Sequence, residues 1–486
     1  MRDALFHLSG DSGGSIQSRI RGMLVSAILD GQLPEDSPLP SSRKKAQILG
    51  VSRNTVVLVY QGLVDDGYLV ARERSGFYVQ PGIREGRAEA GERTPSEPRN
   101  APNWSKRFRL QPAAQENVER PLDWQTYPFP FIYGQVDRDL FPLAEWRECS
   151  RQALGKKSME ETTCDIHCFD DPMLVEQIRT RLLPRRGIRV GEDQILITLG
   201  AQNALYLLAS LLVMPKTTVA LEEPGYPDVR NIMALKTDRL KPIPVDENGL
   251  PVDERLDGCD YVFVTPSHQS PTTVTLPMER RKALLERAVE QDFLIIEDDY
   301  EAETNYVSSP TPAIKSLDGD DRVIYIGSLS KTLFPGLRLG YLVGPKPLIR
   351  EARALRRLML RHAPNNNQRT TALFLSLGHH DTLVHRLHKA YRPRWQQMGE
   401  ALARHLPNSS RVPTFGGTSY WVRGLEGLDA LELKRRAREQ GVMLEPGYIH
   451  FLRPGAPTNF FRLGFSSIPT DRIESGIKII ADLIKG

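Results

Sequence analysis

Lys331 stands in the run Gly327-Ser-Leu-Ser-Lys331-Thr-Leu-Phe-Pro-Gly-Leu-Arg338, directly after the apolar residues Val323-Ile-Tyr-Ile326. A lysine among small hydroxyl residues, with an arginine seven positions on, suits an amine that must reach an aldehyde beside a phosphate. Pyridoxal 5'-phosphate held as a Schiff base fits that description. Such a coenzyme also needs a partner for its ring nitrogen, a donor to its ring oxygen and a cup for its phosphate.

Each need has a candidate after an apolar run. Glu297-Asp298-Asp299-Tyr300 closes the run Phe293–Ile296. A carboxylate against the pyridine nitrogen keeps the ring protonated and electron-withdrawing. Asp298 is placed for that role, with Tyr300 donating to the phenolic oxygen. Gly200-Ala201-Gln202 follows Gln194–Thr198 and opens an apolar helix, whose first N–H groups suit a phosphate. Ser328, Ser330 and Arg338 complete the cup, the arginine adding charge and directional hydrogen bonds. Tyr226, in Glu222-Glu-Pro-Gly-Tyr226-Pro, is placed to stack on the ring. Taken singly, each feature has a plainer reading: a turn, a solvated helix start, a surface arginine. Their joint occurrence at the carboxyl ends of strands, where ligands collect in open α/β sheets, favours the site.

The elements that must position these groups are legible from about residue 121 onward. Apolar runs at Gln194–Thr198, Thr218–Leu221, Tyr261–Val264, Phe293–Ile296, Val323–Ile326 and Leu339–Val343 alternate with helical segments. Runs apolar on both faces and spaced by helices predict an α/β domain with a mostly parallel sheet between helix layers. Gly416-Gly417, Tyr420-Trp-Val422 and Phe460–Phe465 predict a smaller C-terminal α/β lobe.

Residues 12–80 read differently. Ile16, Ile20, Leu24 and Ile28 recur every fourth residue and give one apolar helical face. A short helix follows Leu39-Pro-Ser-Ser42, and Ser52 is placed to cap a third helix from Arg53 to about Asp66. Tyr68–Ala71 and Phe77–Val79 read as a small hairpin. This is the pattern of a winged helix-turn-helix. Arg53, Asn54 and Thr55 open the recognition helix, where side chains meet base edges in the major groove. Ser42, Arg43 and Lys44 suit backbone phosphates, and Arg72 and Arg74 form the wing. The plainer alternative is a set of solvated charges. Residues 81–120, punctuated by proline and glycine without hydrophobic periodicity, read as a flexible linker before the domain at 121–486.

At 486 residues the chain needs more than one core. Its net charge of +4 neither demands nor excludes nucleic acid, so any DNA contact must come from a local patch. Four scattered cysteines are too few for a disulfide scaffold, which points to a reducing cytoplasm, and no stretch is apolar enough to span a membrane. Cys164-Asp-Ile-His167-Cys168 gathers three soft ligands, but zinc sites need a fourth and wider spacing, so no metal is assigned.

A family resemblance adds to this reading. Residues from about 121 to 486 resemble a fold-type I aminotransferase, through Gly200-Ala-Gln202, Pro224-Gly-Tyr226, Thr265–Thr272, Glu297–Tyr300, Ser328–Lys331 with Arg338, and Phe461-Arg-Leu-Gly464. Residues 12–80 resemble a GntR-type winged helix-turn-helix, through Leu39–Arg43, Leu49–Val56, Tyr60 and Gly67-Tyr68. Both modules in this order are similar to the MocR/GabR transcription regulators; Tyr133-Gly-Gln-Val-Asp137 also resembles that family. The resemblance implies that Lys331 holds the coenzyme and that Arg462 takes an amino-acid carboxylate. Three positions depart from the pattern. Phe169 replaces a tyrosine that reaches the neighbouring subunit's phosphate, and Ser270 stands where active aminotransferases carry asparagine. Asp228 stands where the GABA-responsive member carries arginine, which disfavours GABA and suits a second amine.

The sequence therefore predicts a cytoplasmic, homodimeric regulator that depends on pyridoxal 5'-phosphate. It is expected to sense an amino acid or related amine by external aldimine formation and to bind a double-stranded operator with repeated half-sites. The alternative is a working aminotransferase that carries a DNA-binding head.

Overall fold

The computed structural model describes residues 14–84, 101–156, 158, 160, 169–307, 311–410, 412–413, 416–452 and 455–486. The Cys164–Cys168 cluster lies outside the described residues. The chain divides into two compact units, residues 1–107 and 108–486.

In the first unit, capping chemistry sets the helix boundaries. Ser15 accepts from Ser18 N–H to start α1 (Ile16–Leu29), and Ser41 does the same from Lys44 for α2 (Ser42–Leu49). Gly50, at φ +65°, ends α2 in the left-handed region. Ser52 accepts from Thr55 N–H at 3.1 Å and starts α3 (Arg53–Asp65). β1 (Leu69–Arg72) and β2 (Gly76–Val79) pair antiparallel, Leu69 opposite Val79. Ile20, Leu24, Val56, Tyr60 and Leu63 form the buried centre. Tyr60 also donates to Pro40 O at 2.9 Å, tying α3 to the turn before α2. Ile16, read as part of the apolar face, is half exposed; the buried face begins at Ile20.

The second unit is built on a seven-stranded sheet. In chain order its elements are β3 (Ile195–Thr198), α4 (Ala201–Leu212), β4 (Val219–Glu223), α5 (Pro227–Ala234), β5 (Leu240–Pro244) and β6 (Tyr261–Val264). Then come α6 (Met278–Gln291), β7 (Leu294–Asp299), β8 (Val323–Ser328), β9 (Gly340–Val343) and α7 (Lys346–Leu360). The spatial order is β3-β9-β8-β7-β6-β4-β5, parallel except for β9, which runs antiparallel to both neighbours. Helices cover both faces, consistent with strands apolar on each side. A smaller antiparallel sheet of β10 (Ser419–Arg423), β11 (Glu445–Pro446) and β12 (Phe460–Gly464) forms the C-terminal lobe.

Two boundaries differ from the sequence reading. The strand expected to stop at Ile296 continues through Glu297, Asp298 and Asp299, all buried. Glu297 is compensated by accepting from Ile314 and Lys315 N–H, and Asp299 by pairing with Arg186 at 2.6 Å. The second unit also begins at Phe108, so the tail of the expected linker belongs with it. Gln115 Nε2 donates to Asn231 O at 2.9 Å, and Asn231 Nδ2 donates to Glu116 O at 2.8 Å. Side-chain amides rather than an apolar stripe fasten this arm, so hydrophobic periodicity could not reveal it. Among the described residues no helix is long and apolar enough to cross a membrane.

Candidate functional site

A cavity of about 370 Å³ opens at the carboxyl ends of the parallel strands. It collects every residue that the sequence reading proposed for coenzyme and effector. Ser328 ends β8, and Ser330 and Lys331 follow it; Asp298 and Tyr300 close β7; Tyr226 follows β4; Gly200, Ala201 and Gln202 open α4; Arg338 and Arg462 complete the wall.

The lysine is half-buried, and burial pushes its ammonium down to about 8, although Glu301 opposes the shift. Its Nζ lies 4.1 Å from the centre of the Tyr133 ring. Tyr133 is held in place by donating to Glu301 at 2.9 Å, and Glu301 also accepts from Thr418 at 2.7 Å. On the same ring sits Arg462, its guanidinium carbon 3.8 Å from the centroid. Tyr133 is thus shared by two cations, an arrangement favoured by the negative face of the aromatic ring.

Asp298 is buried, and its Oδ1 has no hydrogen-bond partner among the described residues. Burial pushes this carboxyl up to about 7, and Asp299 adds to the rise. An unpartnered buried carboxylate oxygen facing a cavity calls for a cationic N–H, which a protonated pyridine supplies. Tyr300 donates to His268 O at 2.8 Å. Its single hydroxyl hydrogen is therefore occupied, so the expected donation to the ring oxygen is not made in this arrangement.

The phosphate cup is built from backbone. Gly200, at φ +81°, precedes α4 with no side-chain cap, leaving first-turn N–H groups for an anion. Arg338 donates to Leu199 O at 3.1 Å, and a Cβ on Gly200 would stand 3.2 Å from its Nη2. Only glycine lets guanidinium and helix start converge. Tyr226 donates to Asp228 at 2.7 Å, and Gln202 donates to the same carboxylate oxygen. That oxygen is already doubly engaged, which weakens the expected attraction of Asp228 for a second amine.

Arg462 is ion-paired with buried Glu445, which His450 also contacts at 3.2 Å. Burial raises the Glu445 carboxyl, but Arg462 and then His450 outweigh it and hold it near 2. The sequence reading missed this partner, and it missed Arg120, which reaches the cavity from the arm. Tyr133 and Gly134 stood in a motif it had noted without a role. Ser270, the departure at the asparagine position, also lines the cavity.

In the head, Arg43, Lys44, Arg53 and Asn54 are exposed. Arg53 Nε donates to Ser42 Oγ at 3.5 Å, joining the starts of α2 and α3. The Thr55 hydroxyl lies 2.8 Å from the capping Ser52 hydroxyl. Arg72 pairs with Asp36 and sits 4.3 Å from the Tyr78 ring centre, while Arg74 turns the hairpin at φ +60°.

Comparison with known proteins matches both halves. Residues 16–79 match the family described as bacterial regulatory proteins of the gntR family, and residues 137–480 match aminotransferase class I and II. The HTH-type transcriptional regulator TauR of Rhodobacter capsulatus is 42% identical over 485 residues, 99% of each chain. The chain belongs to the MocR/GabR family of transcription regulators. A further relative of this regulator is the probable rhizopine catabolism regulatory protein MocR of Rhizobium meliloti, 32% identical over 97% of this chain and 94% of that one. The aminotransferase-like unit of the regulator is similar to Pyrococcus horikoshii kynurenine aminotransferase, solved with PMP, at 28% identity and TM-score 0.71. That match covers 78% of this chain and 98% of the enzyme.

Proposed function

We propose that this regulator binds pyridoxal 5'-phosphate at Lys331 and uses it to sense an amino compound, which changes its grip on operator DNA. The observation that carries the reading is the meeting, in one cavity, of a depressed lysine, an unpartnered buried Asp298 oxygen and an uncapped helix start beside Arg338. When bound, the coenzyme supplies an aldehyde electrophile and an electron-withdrawing ring. Asp298 would hold the ring N–H, and Gly200, Ala201, Gln202, Ser328, Ser330 and Arg338 would hold the phosphate. Tyr226 and Tyr300 would bound the ring. Lys331 is the group that an effector amine replaces, and with its ammonium lowered to about 8 a useful minority of the amine is neutral at physiological pH, which suits both holding and yielding.

The family resemblance assigns the effector carboxylate to Arg462, but that guanidinium is already paired with Glu445, which leaves room for a second receptor on the cavity wall. DNA would be read by Arg53, Asn54 and Thr55 at base edges. Ser42, Arg43 and Lys44 would contact phosphates, with Arg74 and, once freed from Asp36, Arg72 at the wing. One head presents a single short recognition helix, so a homodimer on repeated half-sites is the arrangement we favour. Mobility shift of operator DNA with and without amino compounds tests this; an effector that perturbs the coenzyme band yet leaves DNA affinity unchanged counts against it.

A second reading has one supporting observation: Lys331, with its ammonium near 8, can also move a proton on bound substrate, as a working aminotransferase requires. Steady-state keto-acid formation by the purified protein separates the two.

A further inference from the structure

We infer that Arg120, at the end of the arm Gln115–Arg120, is a receptor for the acid group of the effector, and that this group is a carboxylate a few bonds from the reacting amine. The inference rests on the amine-sensing reading above. It starts from the charges on the cavity wall. Arg462 is paired with Glu445, Arg338 stands against Gly200 where a phosphate belongs, and Asp228 is engaged by Tyr226 and Gln202. Arg120 differs: it lines the cavity but makes no hydrogen bond or ion pair with a described residue. A guanidinium left over at a ligand cavity suits an oxyanion with its planar fork, and with the phosphate place taken by Arg338 at Gly200, the oxyanion assigned to Arg120 is a carboxylate.

Gly134 fixes the spacing. It lies at φ +77°, and a Cβ built on it would stand 3.0 Å from Lys331 Nζ and 3.6 Å from Arg120 Nη2. The amine and the guanidinium therefore converge on the same spot beside Gly134, which is too tight for even a methyl group unless one of them shifts. A ligand whose nitrogen takes the place of the lysine amine brings a nearby carboxylate within reach of Arg120. Electrostatics agree: the positive charge of Arg120 is felt at both Lys331 and Glu445.

The arm itself is latched rather than loose. Asn231 on α5 donates to Glu116 O at 2.8 Å and to Asn117 Oδ1 at 3.2 Å, and Gln115 donates back to Asn231 O. The first turn of α5 carries Asp228 to the same cavity. Arm and wall are thus tied together by hydrogen bonds, and in the sequence the arm follows the DNA-reading head. A carboxylate held by Arg120 would add one more tie to the arm that Asn231 already holds.

The test uses the full chain loaded with pyridoxal phosphate, as wild type, Arg120→Gln and Arg120→Lys. Each is titrated with glycine, β-alanine and γ-aminobutyrate and with the n-alkylamine of matching chain length, following the coenzyme absorption band and, in parallel, operator mobility. Arg120→Gln is expected to weaken binding of the best amino acid at least tenfold, to leave its matched alkylamine unchanged, and to blunt the ligand's effect on DNA. Arg120→Lys should recover part of the loss. Equal affinities for wild type and Arg120→Gln, or equal losses for amino acid and alkylamine, overturn the assignment while leaving amine sensing intact. A wild-type coenzyme band that no probe shifts overturns the parent reading, and this assignment with it.

Discussion

Arg462, its guanidinium over the Tyr133 ring, forms a buried ion pair with Glu445, so the arginine expected to receive an effector carboxylate already holds one from its own chain. Removing one partner of such a pair strands the other charge away from water. Glu445→Gln is therefore expected to lose about 3 kcal/mol of stability in chemical denaturation. Part of that loss should return when an amino acid, but not an alkylamine, saturates the site. The pair also predicts acid sensitivity. The folded carboxyl near 2 lies below its ordinary 4.5, so its stabilisation is complete above 4.5 and is lost as pH falls toward 2. Glu445→Gln should flatten that part of the stability profile.

Neighbouring aspartates on β7 should fail in different ways. Asp299 is locked between Arg186 at 2.6 Å and Tyr325 at 2.9 Å, away from the cavity lining. Asp299→Asn should unfold at lower denaturant, by about 3 kcal/mol, because buried Arg186 loses its counter-charge. Asp298→Ala should keep the fold and release coenzyme at least about tenfold more readily, since one charge-assisted hydrogen bond is lost. Denaturation curves and equilibrium dialysis of the coenzyme distinguish the two outcomes.

Coenzyme loading should follow the lysine. Attack on an aldehyde needs the neutral amine, and the Lys331 ammonium titrates near 8. The rate at which apo-protein takes up pyridoxal phosphate is expected to rise about tenfold between pH 7 and 9 and to level off above that. Stopped-flow absorbance measures it. A rate still climbing steeply above pH 9 would mean an ordinary exposed lysine.

The head should separate sequence reading from charge. Arg53→Ala is expected to cost about tenfold or more in operator affinity and to relax sequence preference, as loss of a base contact does. Lys44→Ala should weaken specific and non-specific DNA alike and lower the salt dependence by about one counterion. Neither change should move the coenzyme band. Mobility shifts at several salt concentrations provide the readout.

What the sequence revealed and what it concealed divide along physical lines. Local rules located Ser52 as a cap and placed Lys331 and Gly200 after strands, because each depends on neighbours within a few residues. β5, Leu240-Lys-Pro-Ile-Pro244, escaped notice because two prolines argue against a strand; it survives as the edge of the sheet, where a missing N–H is harmless. The acidic end of β7 looked like a turn, since its compensating partners Arg186 and Ile314 lie far away in the chain. The Arg462–Glu445 pair and the arm at Arg120 are likewise products of tertiary contact. No periodicity announces them.

The most direct test of the account is the visible absorption of the purified chain, before and after borohydride and in the Lys331→Ala variant. The account predicts a coenzyme band in the wild type that borohydride abolishes, leaving the coenzyme covalently attached to the peptide containing Lys331, and no such attachment in Lys331→Ala. A wild-type protein that stays colourless after incubation with pyridoxal phosphate, or a variant that still becomes labelled at the same peptide, would contradict it.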